Sequence, residues 1–277
     1  MEIFRAILIE TRTVCNRTCW FCKFGQERQD EKILQMEWDT ILRILRNLKD
    51  LDYSGRISWY NINEPLSDRR MLRIIKETRE HCPRAFISFA TNGDLLTADL
   101  YRSLKENGLD ALGISVYDDR TLQRMLPLAD SQMILMDMRR AEPGLLENRG
   151  GNIQQHGPAF QRDRARFADR SCERPFSMMV VNPEGKVVLC CADMYSDVVM
   201  GSVAEQRLEV IWESPQFQEY RNTLKEEGRR NLRLCSDCSY SGRGFRPFFP
   251  YAGNRKGRGV IDIVRSRLRF SRTTVDG

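Results

Sequence analysis

The chain has 277 residues, 41% of them hydrophobic, and a formal net charge of +6, which is enough apolar material for one large and one small folded unit. No apolar run is long enough to cross a bilayer and no charged-then-apolar leader opens the sequence, so a cytoplasmic location without membrane partners is expected. With only His81 and His156 present, histidine-based acid–base or zinc catalysis is disfavoured, and nine cysteines without a secretory context read as metal ligands and reactive thiols rather than disulfides.

Residues 3–10 alternate as a strand, and Cys15, Cys19 and Cys22 follow directly in CNRTCWFC. Trp38, Ile41, Leu42, Leu45 and Leu48 form the apolar stripe of a first helix, and the Ser54-Gly55 turn leads into a strand over 56–61. A second helix is predicted over 69–81, with Cys82 as a core residue after it. A strand over 85–90, a helix over 97–107 closed by Gly108, a strand over 111–116 and a fifth over 133–136 complete the pattern. Repeated strand–helix units predict a parallel sheet, and such sheets place active sites at strand C-termini. The cysteine loop, Glu64, Thr91-Asn92-Gly93 and Tyr117 all fall just after strands.

The second half opens with a hairpin, FSMMVVNPEGKVVLCCAD, whose turn is residues 182–185. Cys172, Cys190, Cys235 and Cys238 lie around it. The tail from 241 to 277 carries nine Arg or Lys against Asp262 and Asp276, a local net of +7 that leaves residues 1–240 near neutral. Such a tail is usually solvated, so nucleic acid is not expected as a partner. Ile261, Val264 and Leu268 give it one short amphipathic turn.

Three thiolates spaced four and three residues apart can wrap one corner of an iron–sulfur cubane and leave its fourth iron without a protein ligand. Zinc would require a fourth ligand that nothing nearby supplies. The four later cysteines suit a closed, fully protein-ligated site, for which structural zinc and an iron–sulfur cluster are both open readings on spacing alone.

On the CNRTCWFC element after a first strand, the chain resembles the radical S-adenosylmethionine (SAM) enzymes. The resemblance implies an α/β fold, with a partial (β/α) TIM-like barrel over residues 1–150. It also implies a [4Fe-4S] cluster whose open iron binds SAM and whose electron generates a 5′-deoxyadenosyl radical. Phe21 matches the aromatic placed against the adenine. Glu64 with Pro65 matches the Gly-Glu-Pro element that receives the SAM ammonium, although Asn63 stands where glycine is usual. Asn92 is a further cofactor contact or a turn residue.

GKVVLCCAD, MGSVAEQRLEVIWES and LCSDCS resemble a twitch domain, the short relative of SPASM, over residues 151–240. That implies a second [4Fe-4S] cluster on Cys172, Cys190, Cys235 and Cys238. The whole pattern resembles the aminocyclitol dehydrogenases and carbohydrate epimerases of aminoglycoside pathways, which implies that Arg149 in NRGG reaches a substrate hydroxyl. Cys191 and Ala192 replace a Phe-Glu pair of the dehydrogenases, and Ala90 replaces a pocket tyrosine. The extra thiol leads to the expectation of an epimerase, with Cys191 as hydrogen-atom donor to an aminocyclitol, sugar or aminoglycoside radical. The alternative is a dehydrogenase that yields a ketone. Either reaction implies an external one-electron reductant of the flavodoxin or ferredoxin type.

Overall fold

In the computed structural model, residues 3–19, 22, 33–139, 148, 150 and 167–243 are described. Phe21, Arg149, His156 and the tail beyond residue 243 lie outside them. The first half builds β1 (Ala6–Ile9), α1 (Trp38–Asp50), β2 (Arg56–Ser58), α2 (Met71–His81), β3 (Phe86–Thr91), α3 (Ala98–Glu106), β4 (Ala111–Val116), α4 (Asp119–Met125) and β5 (Met133–Asp137). The second half adds α5 (Arg174–Ser177), β6 (Met178–Val181), β7 (Lys186–Val188), β8 (Val199–Ser202), α6 (Leu208–Trp212) and α7 (Pro215–Glu226). Among the described residues the strands form one open, eight-stranded sheet in the order β5-β4-β3-β2-β1-β6-β7-β8. The first five strands and β6 run parallel, and β7 and β8 are antiparallel additions.

The two faces of the sheet follow from the period of two along each strand. Ile7, Ile9, Ile57, Ile87, Phe89, Leu112, Ile114, Met179 and Val181 enter one large core with the helices. From α1 the core receives Ile41, Ile44, Leu45 and Leu48; each such side chain contributes roughly 1.5–3 kcal/mol on full burial. Trp38, expected in the same stripe, is only partly buried and has the Arg73 guanidinium 3.9 Å from its ring centroid. Fully buried Trp59 satisfies its indole N–H by donating to Thr78 Oγ1 at 3.0 Å. Cys82 is a core residue, as expected.

The opposite face carries small and partly polar side chains. Leu8, Ser58, Ser88 and Ala111 lie in register across four strands, and the Ser58 and Ser88 hydroxyls are 3.2 Å apart. A separate cluster of Ala6, Leu8, Met178, Val180 and Val188 floors this face, with Cys191 packed against it. The β6–β7 turn forms where the sequence predicts, Asn182 N donating to Lys186 O and Gly185 N to Asn182 O, both at 2.9 Å. Because β6 pairs parallel with β1 and β7 runs back against β6, this hairpin continues the sheet, and Cys172 and Cys190 fall near the starting end of β1, whereas the first cysteine set follows its C-terminal end. The predicted strand over 56–61 is shorter: β2 ends at Ser58, Trp59 N makes one last bond to Ser88 O at 3.3 Å, and the chain then turns toward Glu64. Helix α4, absent from the sequence reading, starts where Asp118 accepts from Thr121 N at 2.7 Å. No helix of the described residues is long and apolar enough to cross a membrane.

Candidate functional site

Three loops meet at the C-terminal ends of β1, β2 and β3. Glu64 N donates to Val14 O at 2.9 Å, joining the loop after β2 to the cysteine loop. The Glu64 carboxylate is buried and accepts three hydrogen bonds, from Leu66 N at 3.0 Å and Thr91 Oγ1 at 2.6 Å on Oε1, and from Asn92 N at 2.8 Å on Oε2. It therefore caps the single helical turn Pro65–Ser67, and its Oε2 retains acceptor capacity. Burial raises its pKa while the three donors pull it back. Asn63 N donates to Glu10 Oε1 at 3.1 Å, and the backbone at Asn63 is not left-handed, so the missing glycine costs nothing there. The Asn63 side-chain amide nitrogen is buried without a hydrogen-bond partner, a donor waiting for an acceptor.

The cysteine loop is held by the turn after β3. Asn92 Nδ2 donates to Asn16 Oδ1 at 2.7 Å and lies 4.0 Å from Cys15 Sγ. Asn92 Oδ1 accepts from Asp94 N at 2.9 Å, while Gly93 takes a φ of +78°, a turn that a β-carbon would strain. Arg17, between the first two cysteines, grips Asp94 in a bidentate fork, with Nε to Oδ2 at 2.6 Å and Nη2 to Oδ1 at 2.5 Å. It reaches on to Asp118 Oδ2 at 2.8 Å. Asp94 is held below the ordinary carboxylate range chiefly by Arg17, and Asp118 is lowered to about 2 by Thr121 N and then Arg17. This clamp was missed in the sequence; its one signal is an arginine lying inside the ligand run.

The second cysteine set comes together around one cavity. Cys172 precedes α5, Cys190 follows β7, and Cys235 and Cys238 sit in successive turns after α7. All four line one cavity with Arg174, Pro175, Ala192, Arg229, Leu234 and Tyr240. Burial pushes the Cys172 and Cys190 thiols up and carries Cys235 to about 12; Cys15 is raised and Cys19 carried to about 11, again mainly by burial. Thiols in such places stay protonated unless a positively charged occupant compensates the thiolates. Both donor sets therefore fit metal-bearing groups. Among the described residues, no three His, Cys, Asp or Glu converge closely enough for a single ion. The four sulfurs instead ring a cavity, which suits a multi-iron cluster.

The radical SAM superfamily matches residues 9–129, and the SPASM iron–sulfur cluster-binding domain matches residues 172–239. Across nearly its whole length the chain is similar to the S-adenosyl-L-methionine-dependent 2-deoxy-scyllo-inosamine dehydrogenase of Niallia circulans, at 31% identity over 86% of this chain and 94% of that protein. The chain belongs to the radical SAM superfamily. Its cofactors are accordingly SAM, a [4Fe-4S] cluster and an auxiliary iron–sulfur cluster in the SPASM domain. Among solved structures, the crystal structure of BtrN in complex with AdoMet and 2-DOIA matches this radical SAM fold with a TM-score of 0.76 at 28% identity, covering 86% of this chain and 94% of that one. The anSMEcpe structure with bound AdoMet shares the fold alone, with a TM-score of 0.57 at 12% identity over 83% of this chain and 84% of that one.

Proposed function

We propose that this radical SAM enzyme is a dehydrogenase that oxidises a secondary alcohol of an aminocyclitol, sugar or aminoglycoside to a ketone. The observation that carries this reading is the similarity to an aminocyclitol dehydrogenase over 94% of that protein's length, on a chain whose radical SAM and SPASM regions contain the two cysteine sets. When bound, SAM and the clusters supply a 5′-deoxyadenosyl radical and a second centre able to take up one electron. Cys15, Cys19 and Cys22 would hold the first cluster, and Cys172, Cys190, Cys235 and Cys238 the second. Glu64 offers a buried carboxylate to the SAM ammonium, Asn63 an unpaired amide donor and Asn92 a side chain beside Cys15, with Phe21 against the adenine. Arg149 would bind the substrate hydroxyl. Oxidation removes one hydrogen atom from the carbinol carbon, one proton from its oxygen and one electron, which leaves a C=O bond. An external one-electron reductant of the flavodoxin or ferredoxin type starts each turnover.

One observation favours a second reading, inversion of the same centre. Cys191 packs, only partly buried, against Ala6, Leu8, Met178, Val180 and Val188 on the second face of the sheet, and a thiol there would return a hydrogen atom to a substrate radical. Product analysis in deuterium oxide separates the two, using anaerobically reconstituted protein, SAM and a panel of aminocyclitols and aminoglycosides. The dehydrogenase gives ketone, and Cys191→Ala leaves its yield unchanged. An inverted alcohol bearing one solvent deuterium, lost in Cys191→Ala, would instead establish the epimerase.

A further inference from the structure

Arg229 is one of the largest fully buried side chains of the protein, at 1% exposure. Its hydrogen bonds go to main-chain carbonyls, Nη2 to Ser171 O at 2.9 Å and Nη1 to Tyr240 O. Its Nε is buried with no partner. These bonds tie the residue before Cys172 to the segment after Cys238, so one guanidinium braces two cysteine-bearing stretches. A second cation stands beside it, since the Arg174 guanidinium lies 3.7 Å from the Tyr240 ring centroid. Both arginines line the cavity with the four cysteines, and that lining holds no carboxylate among the described residues.

A desolvated guanidinium without an acidic partner is costly, and it becomes favourable when an anion occupies the space it faces. Four cysteine thiolates around an iron–sulfur core form such an anion, and one-electron reduction adds a further negative charge. Cluster potentials respond to local charge, hydrogen bonding and solvent exposure, so a fixed cation stabilises the reduced form more than the oxidised one. We infer that Arg229, supported by Arg174, raises the reduction potential of the auxiliary cluster and thereby sets it up as an electron acceptor. This charge effect concerns the cluster alone and holds whether the product is a ketone or an inverted alcohol.

The test is an anaerobic redox titration, followed by electron paramagnetic resonance without substrate, of the full-length chain carrying Cys15→Ala, Cys19→Ala and Cys22→Ala, in which the auxiliary signal stands alone. Adding Arg229→Gln should lower the midpoint by at least about 59 mV, a tenfold loss in the one-electron reduction constant. Arg229→Lys, which keeps the charge and loses the fork, should fall less. An unchanged midpoint in Arg229→Gln, or equal falls in the Lys and Gln variants, would overturn the inference. Should Arg229→Gln hold no cluster, Arg174→Gln decides: a lowered midpoint upholds the charge effect and an unchanged one rejects it.

Discussion

The two cysteine sites of this protein sit beside arginines used in opposite ways. At the first, Arg17 lies inside the ligand run and is spent on Asp94 and Asp118, so its charge is neutralised and its geometry becomes a clamp. At the second, Arg229 is buried against carbonyls, and its charge remains directed at the cavity. The first arrangement favours an electron-rich cluster with strong reducing power, and the second favours a cluster that accepts an electron. On the proposed dehydrogenase reading, one fold would carry an electron-donating and an electron-accepting site on a single sheet, as a net oxidation started by a reducing step requires.

The largest effect should come from removing the first site. Cys15→Ala with Cys19→Ala and Cys22→Ala should abolish SAM cleavage and halve bound iron, as read by product chromatography and iron analysis. Retained cleavage would break the division of labour between the sites. Next in size is the clamp. Arg17→Met should cost about 10- to 100-fold in SAM-cleavage rate, the usual scale for groups that orient metal ligands. It should leave the auxiliary signal unchanged, and loss of both signals together would show a general folding role instead.

Glu64→Ala should raise the Kd for SAM, whereas Arg149→Ala should leave that Kd nearly intact and lower turnover of substrate. Equal losses of SAM affinity would contradict the division of cofactor and substrate roles. The smallest effect concerns acid stability. The Asp118 carboxyl, lowered to about 2, stabilises the fold fully above its unfolded pKa of about 3.9 and loses that contribution as pH falls toward 2. In urea melts of the apo protein, Asp118→Asn should flatten this part of the acid limb without altering stability between pH 6 and 8 by more than about 1 kcal/mol.

What the sequence disclosed follows from local physics. Strand alternation, the α1 stripe and the spacing of Cys15, Cys19 and Cys22 are short-range patterns, and the sheet formed from them as expected. Glu64 was legible because it stands before Pro65 in the stretch that follows β2 and matches a family element there. The Arg17 clamp was not, because Asp94 and Asp118 lie 77 and 101 residues away and an arginine in a loop carries no signal of its partner. Arg229 was hidden for the same reason, since its partners are carbonyls, whose identity leaves no trace in sequence. Cys191 shows the opposite difficulty: its chemistry was plain, but a reactive residue type favoured inversion where similarity along the chain favours oxidation.

The most direct test of the donor–acceptor account is a redox titration of the intact, SAM-free protein with both clusters loaded, assigning each signal by its loss in the corresponding cysteine variant. The account predicts that the Cys172, Cys190, Cys235 and Cys238 cluster is reduced first, at the higher potential, and the Cys15, Cys19 and Cys22 cluster second. Reduction in the reverse order, or at a common potential, would contradict it.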